Sequence, residues 1–537
     1  MTAVPLQNSS WGPRLRSLGD ASLGIDPTSN AYPSIQCLSY LVIVFTLLFL
    51  VYVLRRPKSR LPLVNPRRLF ELSDSRVKRE FISGAPEIME KGFSLTGNRP
   101  FRIIADIGEV TILPPSLANE VRNNEHLSFA KYMYRNFHAH LPGFEAFIEG
   151  GRDSRLVKHV SQRQLTTTLN KITVPLSEEC SLSLQEIFTD NESWHNIVLK
   201  DDIICIVARL SSKVLLGDEL CHDTQWLKLT AQYTTVAFQA AQYLRIFPYY
   251  TRYFIHWLLP GCWTARAQVK EARSIIGAVL KQRRRQNAAL QAQGKKRVEY
   301  NDSIEWFEQA AKGTYYDPAI SQLMMSFSSI HTSADLITQT IFDLAEHPEM
   351  IEPLRKEILA VLGEHGWTKI ALYKLKLMDS VIKETQRLKP VLSASMRRVA
   401  TADVKLSDGT TIRKDSMIAV SARGQRDPAV YKDPDHWDGY RFYNMRQTAG
   451  HECVAQLVST SPDHLGFGHG QHACPGRFFA ANEVKIFLCH FLLKYDFTLA
   501  EGSVPRPRCS GFHINCDPVA KISLRRRQGI DLSVLEA

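Results

Sequence analysis

The sequence predicts a mainly α-helical protein with a small β region, preceded by one membrane-spanning helix near the N-terminus. Three observations support this fold class. Residues 35–54 form an uncharged run of membrane-spanning length, residues 317–347 carry the pattern of a long buried helix, and short strands are predicted within 101–113 and 404–420. With 537 residues, 44% of them hydrophobic and 22% charged, the chain can bury a sizeable core.

The run at 35–54 is predicted to be a transmembrane anchor. Basic residues follow it directly, in a proline-containing linker at 55–69, so the positive-inside rule places the body of the protein, residues 70–537, in the cytosol. Residues 1–34 would then be lumenal, and Asn8, which begins an N-x-S acceptor, is a candidate glycosylation site. The alternative, a buried core helix, is disfavoured by the basic cluster beside the run.

Charge and cysteine content limit the class of function. The formal net charge is +12, but the basic residues are scattered and have no aromatic residues between them. We therefore expect a solvated surface or a partner-docking face, and no nucleic-acid partner. The ten cysteines are irregularly spaced without a C-x-x-C motif. They predict neither a zinc site nor a disulfide framework, but mostly free thiols in a reducing compartment.

Two short β regions are expected on either side of the helical middle of the chain. Phe101 to Leu113 is rich in isoleucine, valine and threonine, which favour strands. Val404 to Val420 contains Asp408-Gly409, the pair that a tight primed turn prefers, and this segment is predicted to form a hairpin.

The most informative helix is predicted between Asp317 and His347. Asp317 can cap it, Pro318 suits its first turn, and Pro348 stops its continuation. Its middle is apolar on most faces, so the helix should be buried. Polar side chains interrupt that middle: Ser328, Ser329, His331, Thr332 and Ser333. Either the hydroxyls hydrogen-bond back to their own helix, or the helix opens locally where they meet a substrate or a small ligand.

A glycine-rich loop, Phe467 to Gly476, precedes an amphipathic helix predicted at 477–495. Its glycines, including Gly468, allow the loop to pass close to a large flat group. A G-x-G-x-x-A pattern within the loop matches a dinucleotide-binding fingerprint. That fingerprint must follow a strand, and the preceding residues do not predict one, so we reject this interpretation.

Cys474 lies in this loop just before the predicted helix start. Exposed backbone N–H groups at a helix start favour thiolate over thiol. Such a thiolate could be a metal ligand, or a nucleophile with His472 or His469 as its base, and a lone cysteine could also be inert core. The loop by itself leaves these alternatives open.

Two further features accompany the loop. Glu384 and Arg387 lie three residues apart on one predicted helix face, a spacing that usually marks a solvated ion pair, and Arg441 follows later in Asp-Gly-Tyr-Arg-Phe. The order is a long helix with a threonine, E-x-x-R, an Arg-Phe segment and F-x-x-G-x-H-x-C-x-G. At these spacings the chain resembles the cytochrome P-450 superfamily from about residue 60 to 530, with the anchor typical of microsomal members.

The resemblance implies a cofactor, haem b, bound between the long helix and the Cys-loop helix of a single mainly α domain. Cys474 matches the axial ligand of the iron, whose sulfur favours O–O cleavage. Phe467 matches the aromatic beside the sulfur. His472, where the family more often has arginine, and Arg398 match partners of the haem propionates. The implied cofactor-binding residues are thus Cys474, Phe467, Gly468, His472, Arg398 and Gly476.

The resemblance also implies catalytic and structural residues. Thr332 matches the threonine of the oxygen-activating motif, but His331 replaces the usual acid and Ser329 replaces a glycine. His331 could pass protons or could shape the pocket. The implied catalytic candidates are Thr332, His331 and Ser333. A buried ion-pair triad that supports the fold is matched by Glu384, Arg387 and Arg441.

A closer similarity to fungal enzymes of the ent-kaurene oxidase type rests on residues 61–66, 140–145 and 330–332. It implies a haem-thiolate monooxygenase of the endoplasmic reticulum membrane that hydroxylates a hydrophobic terpenoid or meroterpenoid in secondary metabolism. Electrons would come from NADPH–cytochrome P-450 reductase, because no flavin or nicotinamide motif is found in the chain. The apolar stretch Phe254 to Leu259 would either dip into the bilayer or belong to the core.

Three alternatives to this function remain. A haem-thiolate isomerase, dehydratase or desaturase without net oxygen insertion is kept open by Ser329 and His331, whereas Thr332 argues against it. A haem-thiolate sensor would use the same ligand without turnover. A cysteine hydrolase would use Cys474 with His472 and would bind no haem.

Overall fold

The computed structural model describes residues 40, 43–44, 46–47, 59–71, 73–149 and 156–536. The chain from Arg60 onward forms one compact unit. Across the described residues, no helix is both long and apolar enough to cross a membrane. The predicted anchor at 35–54, except for isolated helical positions between 40 and 47, lies outside the described residues, as does Asn8.

Helices form most of the compact unit, as the sequence predicted. In chain order, the helices of eight or more residues are α1 (Ser75–Thr96), α2 (Phe129–Asn136), α3 (Thr166–Phe188), α4 (Leu199–Leu216), α5 (Thr224–Leu244), α6 (Pro260–Ala292), α7 (Ser303–Ala311), α8 (Pro318–Glu346), α9 (Ile351–His365), α10 (Lys376–Leu388) and α11 (Arg477–Lys494). Shorter α-helical segments are Ala118–Val121, Ala146–Glu149, Leu156–His159, Arg252–Ile255, Lys369–Lys374 and Arg441–Arg446.

The strands are short and form small sheets. They are β1 (Phe101–Ala105), β2 (Gly108–Leu113), β3 (Leu127–Ser128), β4 (His195–Val198), β5 (Ala394–Ala400), β6 (Val404–Lys405), β7 (Thr411–Ile412), β8 (Met417–Ser421), β9 (Tyr495–Leu499), β10 (Arg508–Ser510), β11 (His513–Asn515) and β12 (Lys521–Arg526). The largest sheet has the order β1-β2-β8-β5-β3, in which the β2–β8 pair is parallel and the others antiparallel. A second sheet has the order β4-β12-β9. The β region predicted at 101–113 is confirmed as the β1–β2 pair.

The hairpin predicted across 404–420 is shorter than expected. Only β6 and β7 pair, and β8 joins the largest sheet instead. The predicted two-residue primed turn is also wrong. The N–H of Leu406 donates to the C=O of Thr410 at 2.8 Å, which leaves a three-residue loop with Gly409 in a left-handed conformation (φ 84°). Three-residue loops of this kind are a common alternative to primed turns.

Helix α8 begins and ends as the sequence predicted and runs through the compact unit. The carboxylate of Asp317 accepts hydrogen bonds from the N–H groups of Ala319 and Ile320 at 3.1 and 3.3 Å, and Pro318 is the first helical residue. Its 29 residues span about 43 Å. Every residue from 333 to 344 is buried, so one half of α8 is fixed in the core.

The prediction that helix α11 is amphipathic is wrong. The helix ends at Lys494, and Tyr495 begins β9. Its residues from Glu483 to Lys494 are buried on all faces, including charged side chains. The reason is its position, because it packs against α3, α8 and α9 rather than at the surface. The charged side chains meet internal partners: Lys485, for example, lies 2.5 Å from Asp379.

Glu384, Arg387 and Arg441 come together at the C-terminal end of α10. The Nε and Nη2 groups of Arg387 donate to the two carboxylate oxygens of Glu384, each at 2.8 Å, and Arg441 Nε donates to the same carboxylate at 3.0 Å. The side chains of Glu384 and Arg387 are fully buried. Arg387 also donates to the C=O of Gln425 at 2.6 Å, so the pair fastens α10 to the following loop. This E-x-x-R pair is therefore not a solvated surface pair.

A buried carboxyl in α11 predicts a pH effect on stability. Glu483 is fully buried, Ser211 Oγ donates to it at 2.8 Å, and burial raises its pKa to about 7 from an ordinary value of 4.5. The folded protein therefore prefers the protonated carboxyl. This contribution to stability is complete below about pH 4.5 and is lost as the pH rises to about 7, by on the order of 3 kcal/mol.

The Glu483→Gln variant should remove this dependence, because glutamine keeps the acceptor for Ser211 and cannot ionise. We expect the variant to gain stability relative to the wild type at pH 8 and to gain little or nothing at pH 5. Urea unfolding at both pH values measures the two differences. A stability difference that is the same at pH 5 and pH 8 would contradict the prediction.

Candidate haem site

The loop that carries Cys474 is closed by its own backbone. The N–H of Cys474 donates to the C=O of Phe467 at 2.8 Å. Gly468 turns the chain with φ 69°, and Gly470 has φ 78°. A Cβ atom on Gly470 would lie 2.5 Å from the Cβ of Arg122, so glycine is required there both by conformation and by space. The loop thereby fixes Cys474 at the N-terminal end of α11.

Competing effects act on the Cys474 sulfur. Burial raises the pKa of the thiol, whereas the N–H of Gly476, which donates to the sulfur, and the charge of Arg477 lower it. Burial is the larger effect, so the predicted bias of the helix start toward thiolate is outweighed in the protein chain alone. A cation bound at the sulfur would deprotonate it. A raised pKa does not suit the nucleophile alternative, which requires an activated thiol.

His469 is held by residues other than Cys474. Its Nε2 lies 2.9 Å from Asn119 Oδ1 and 3.3 Å from Arg122 Nη1, and its Nδ1 lies 3.2 Å from Thr460 Oγ1. Nε2 therefore ties the Cys loop to the segment around residue 120, and Nδ1 ties it to Thr460. This leaves His469 a structural role rather than that of a base for Cys474.

His472 and Arg398 both lie near the ring of Phe129. The His472 ring centroid is 5.8 Å from that of Phe129, and the Arg398 guanidinium carbon is 5.3 Å from it. Arg398 is 4% exposed, and its Nη1 donates to the C=O of Arg397 at 2.7 Å. Burial and then the charge of Arg397 lower the pKa of Arg398 to about 10. Among the described residues, no carboxylate forms an ion pair with Arg398.

These residues fit a haem group. A buried guanidinium without a carboxylate partner is costly unless an anion reaches it, and a haem propionate is such an anion. The half-buried Cys474 thiol can supply the iron ligand, with the Gly476 N–H already directed at the sulfur. The site thus contains the Cys474 thiol, which can ligate the iron, and the Arg398 guanidinium, which can pair with a haem propionate.

The face of α8 that carries Thr332 stays accessible although the helix around it is buried. Ser328 and Thr332 are both exposed, one turn apart. Thr332 Oγ1 donates to the C=O of Ser328 at 3.0 Å, and Ser328 Oγ donates to the C=O of Met324 at 2.8 Å. The helix continues through this region, so the predicted local opening is wrong and the hydroxyls bond back to their own helix. Both residues are nevertheless exposed, whereas residues 333–344 of the same helix are buried.

His331 and Ser333 point to other neighbours. His331 Nε2 lies 3.1 Å from the C=O of Ala231, and burial lowers the pKa of the imidazole, so the ring is neutral and its Nε2–H donates to helix α5. Ser333 is buried against the Glu483 carboxyl. The three residues predicted as catalytic therefore face three different directions from α8.

An aromatic cluster borders the same part of α8. Phe327 contacts Phe147 and Phe238 with ring centroids 5.0 and 5.2 Å apart, and Phe137 contacts the same two rings at 4.9 and 5.4 Å. The segment 129–147 and helix α5 supply three of these rings, and α8 supplies the fourth. The sequence did not identify this cluster, because no motif marks residues brought together from separate segments.

Comparison with known proteins agrees with this geometry. The family model described as cytochrome P-450 matches residues 106–519. The chain belongs to the cytochrome P-450 family. It is 51% identical over 436 residues to cytochrome P-450 monooxygenase 1 of Gibberella fujikuroi, covering 81% of this chain and 99% of that one. It is 48% identical over 493 residues to cytochrome P-450 monooxygenase hepE of Aspergillus oryzae, covering 91% and 90% of the two chains.

A solved structure supports the P-450 fold. The retinoic acid-bound cyanobacterial CYP120A1 aligns with a TM-score of 0.62 at 16% identity, covering 83% of this chain and 96% of that one. The predictions of family, enzyme class and cofactor are thus confirmed: the protein is an oxidoreductase of the cytochrome P-450 monooxygenase type, and its family uses haem iron ligated by a cysteine thiolate.

Proposed function

We propose that this P-450 is a microsomal monooxygenase that hydroxylates a terpenoid or meroterpenoid in fungal secondary metabolism. The observation that supports it most is the aromatic cluster of Phe137, Phe147, Phe238 and Phe327, which packs on the part of α8 that also carries the exposed residue Thr332. An apolar wall together with one polar side chain suits a substrate whose hydrocarbon skeleton packs against the phenylalanines while one C–H bond faces the reaction centre. The similarity to monooxygenases of fungi supports the same class.

In this proposal, some residues of the site bind the cofactor and one transfers a proton. Cys474 would ligate the iron, with Phe467 beside the sulfur, and Arg398 and His472 would hold the propionates. Haem, when bound, supplies the oxygen chemistry. The Thr332 hydroxyl holds and passes a proton on the substrate side of α8, since it is an exposed O–H in an otherwise buried region.

His331 has a supporting part in the same proposal. Its hydrogen bond to the Ala231 C=O fixes α5 against α8, and α5 carries Phe238 of the aromatic cluster. We therefore assign His331 to shaping the pocket. Ser333 is buried on α8 near the Glu483 carboxyl of α11, and we assign it no step of the reaction.

A membrane location and a separate reductase complete the proposal. Beyond the predicted anchor, an exposed apolar ridge follows α5. Tyr250 is 81% exposed, Phe254 76%, Leu258 72% and Trp257 54%. Their exposure favours the bilayer contact over the core alternative for this stretch. Because the sequence contains no flavin or nicotinamide motif, we expect an NADPH–cytochrome P-450 reductase in the endoplasmic reticulum membrane to supply electrons.

Turnover with labelled oxygen tests the proposed reaction. The full-length protein is combined with reductase and NADPH, and terpenoid substrates are supplied under ¹⁸O₂. We expect one labelled oxygen atom in the product and no product without NADPH. A product that carries no label would assign the protein to the isomerase, dehydratase or desaturase alternative, and complete absence of turnover would favour the sensor.

A further inference from the structure

A cluster of potential metal ligands lies between α3 and the loop at 217–223, which joins α4 to α5. Glu179 belongs to α3, and Cys221 and His222 are adjacent in the loop. A carboxylate oxygen, the sulfur and a ring nitrogen of these three residues lie within 4.8 Å of one another. None of the three is among the residues of the haem site. Carboxylate, thiolate and imidazole are the groups that bind Zn²⁺ in proteins.

The two carboxylate oxygens of Glu179 have different surroundings. Oε1 accepts hydrogen bonds from Arg209 Nε at 2.8 Å and from Ser183 Oγ at 3.2 Å. Oε2 lies 2.9 Å from His222 Nε2 and has no other hydrogen-bond partner among the described residues. Carboxylates that ligate metals are themselves held by hydrogen bonds from neighbouring groups. Oε1 is therefore the oxygen that the chain holds, and Oε2 is the oxygen that can ligate an ion.

Cys221 and His222 offer their donor atoms from different environments. Cys221 is fully buried, and its sulfur makes only a weak contact of 3.9 Å with the C=O of Asp218. Burial, and next the charge of Glu179, raise the pKa of this thiol to about 11, so a metal that binds it must displace its proton. The side chain of His222 is 54% exposed. An ion can therefore reach the cluster from solvent on the histidine side.

The loop that carries two of the ligands is already fixed by other contacts. Glu219 forms an ion pair with Arg283 of α6 at 2.6 Å. The Asp223 carboxylate accepts a hydrogen bond from the N–H of Trp226 at 2.7 Å and caps α5. These contacts lie on either side of the two ligands. Because the loop is ordered without an ion, little conformational entropy is lost when an ion binds.

The charges around the cluster favour a cation. Two cationic side chains there form ion pairs with three carboxylates: Arg209 and Lys213 with Glu179, Glu186 and Asp218. One negative charge is therefore left over, and a second is added when the thiol loses its proton. A divalent cation bound to the thiolate would bring the local charge to zero, so the cluster gains by binding one.

We propose that Glu179, Cys221 and His222 bind a Zn²⁺ ion, with water completing its coordination. The thiol proton is released to solvent, and the neutral imidazole keeps its proton on Nδ1 so that Nε2 can ligate the ion. The ion would tie α3 to the start of α5, the helix that carries Phe238 of the aromatic cluster. Cysteine spacing predicted no zinc site, because Glu179 and His222 lie 43 residues apart in the chain.

Isothermal titration with zinc chloride tests this assignment. The full-length, haem-loaded protein is stripped of loosely bound metal with a chelator, kept reduced and then titrated at neutral pH. We expect one zinc ion per chain with a dissociation constant below about 1 μM, and a melting temperature that rises when zinc is added. Cys221→Ser and His222→Gln should each weaken binding by at least about tenfold, since loss of a supporting residue alone costs that much.

Another cysteine of the chain provides the control. Cys205 is exposed and lies near the carboxylate of Asp202, outside the cluster, and Cys205→Ser should bind zinc as the wild type does. His222 is largely exposed, so His222→Gln should fold even if Cys221→Ser does not. A wild type that binds no zinc at micromolar concentration would overturn the proposal, as would unchanged affinity in His222→Gln or an equal loss of affinity in Cys205→Ser.

Discussion

The Glu384→Gln variant should unfold far more easily than the wild type and should retain little haem. Glutamine cannot neutralise Arg387, which is fully buried, or Arg441, which is 9% exposed in its side chain. Breaking a buried ion pair on one side leaves a charge without compensation and costs about 3–5 kcal/mol. Because Arg387 also holds the loop at Gln425, the damage should spread from α10 to the segment that precedes the Cys loop.

Thermal unfolding and the ratio of haem to protein measure the effect. The matched control is Glu352→Gln, which makes the same change in an ion pair whose carboxylate is 64% exposed. We expect the control to behave as the wild type, because exposed ion pairs contribute little. Equal stability of Glu384→Gln and Glu352→Gln would show that the triad does not support the fold.

The Thr332→Val variant should lose product while it continues to consume NADPH. Valine keeps the shape of threonine and removes the hydroxyl that we assign to proton transfer. General acid–base groups contribute about 100-fold or more to a rate, so we expect product formation to fall by at least about tenfold. Haem content and substrate binding should stay near wild-type values, since the helix does not depend on this side chain for its packing. The measurement is the ratio of product formed to NADPH consumed.

A second threonine of α8 serves as the control for this change. Thr338 donates to the C=O of Ala334 at 2.7 Å in the same way, but it is fully buried and away from the exposed face of the helix. Thr338→Val should leave the ratio of product to NADPH unchanged. If both variants lose product to the same extent, the effect is one of helix stability and not of proton transfer.

The sequence identified local features that depend on a few adjacent residues. The Asp317 cap, the β1–β2 pair and the closed Cys loop were predictable because turn, cap and glycine preferences act over short distances. The family resemblance then supplied the haem and the residues around it. Helix α11 was predicted as amphipathic, since a pattern along the chain does not reveal that a helix is packed on all sides.

Features that depend on several separate segments were not predictable. The acceptor of the His331 hydrogen bond lies 100 residues away in α5, and no spacing in the sequence indicates it. The Phe137–Phe238 contact belongs to the same class. The two adjacent arginines of β5 are a further case, since Arg397 lies over the ring of Tyr132 and Arg398 over the ring of Phe129.

The reduced carbon monoxide difference spectrum of the wild type beside a Cys474→Ser variant tests the account most directly. We expect the wild type to show the Soret shift typical of thiolate-ligated haem, and the variant to lose that shift. A spectrum without haem in the wild type, or one unchanged by the substitution, would contradict the assignment of Cys474 as the iron ligand.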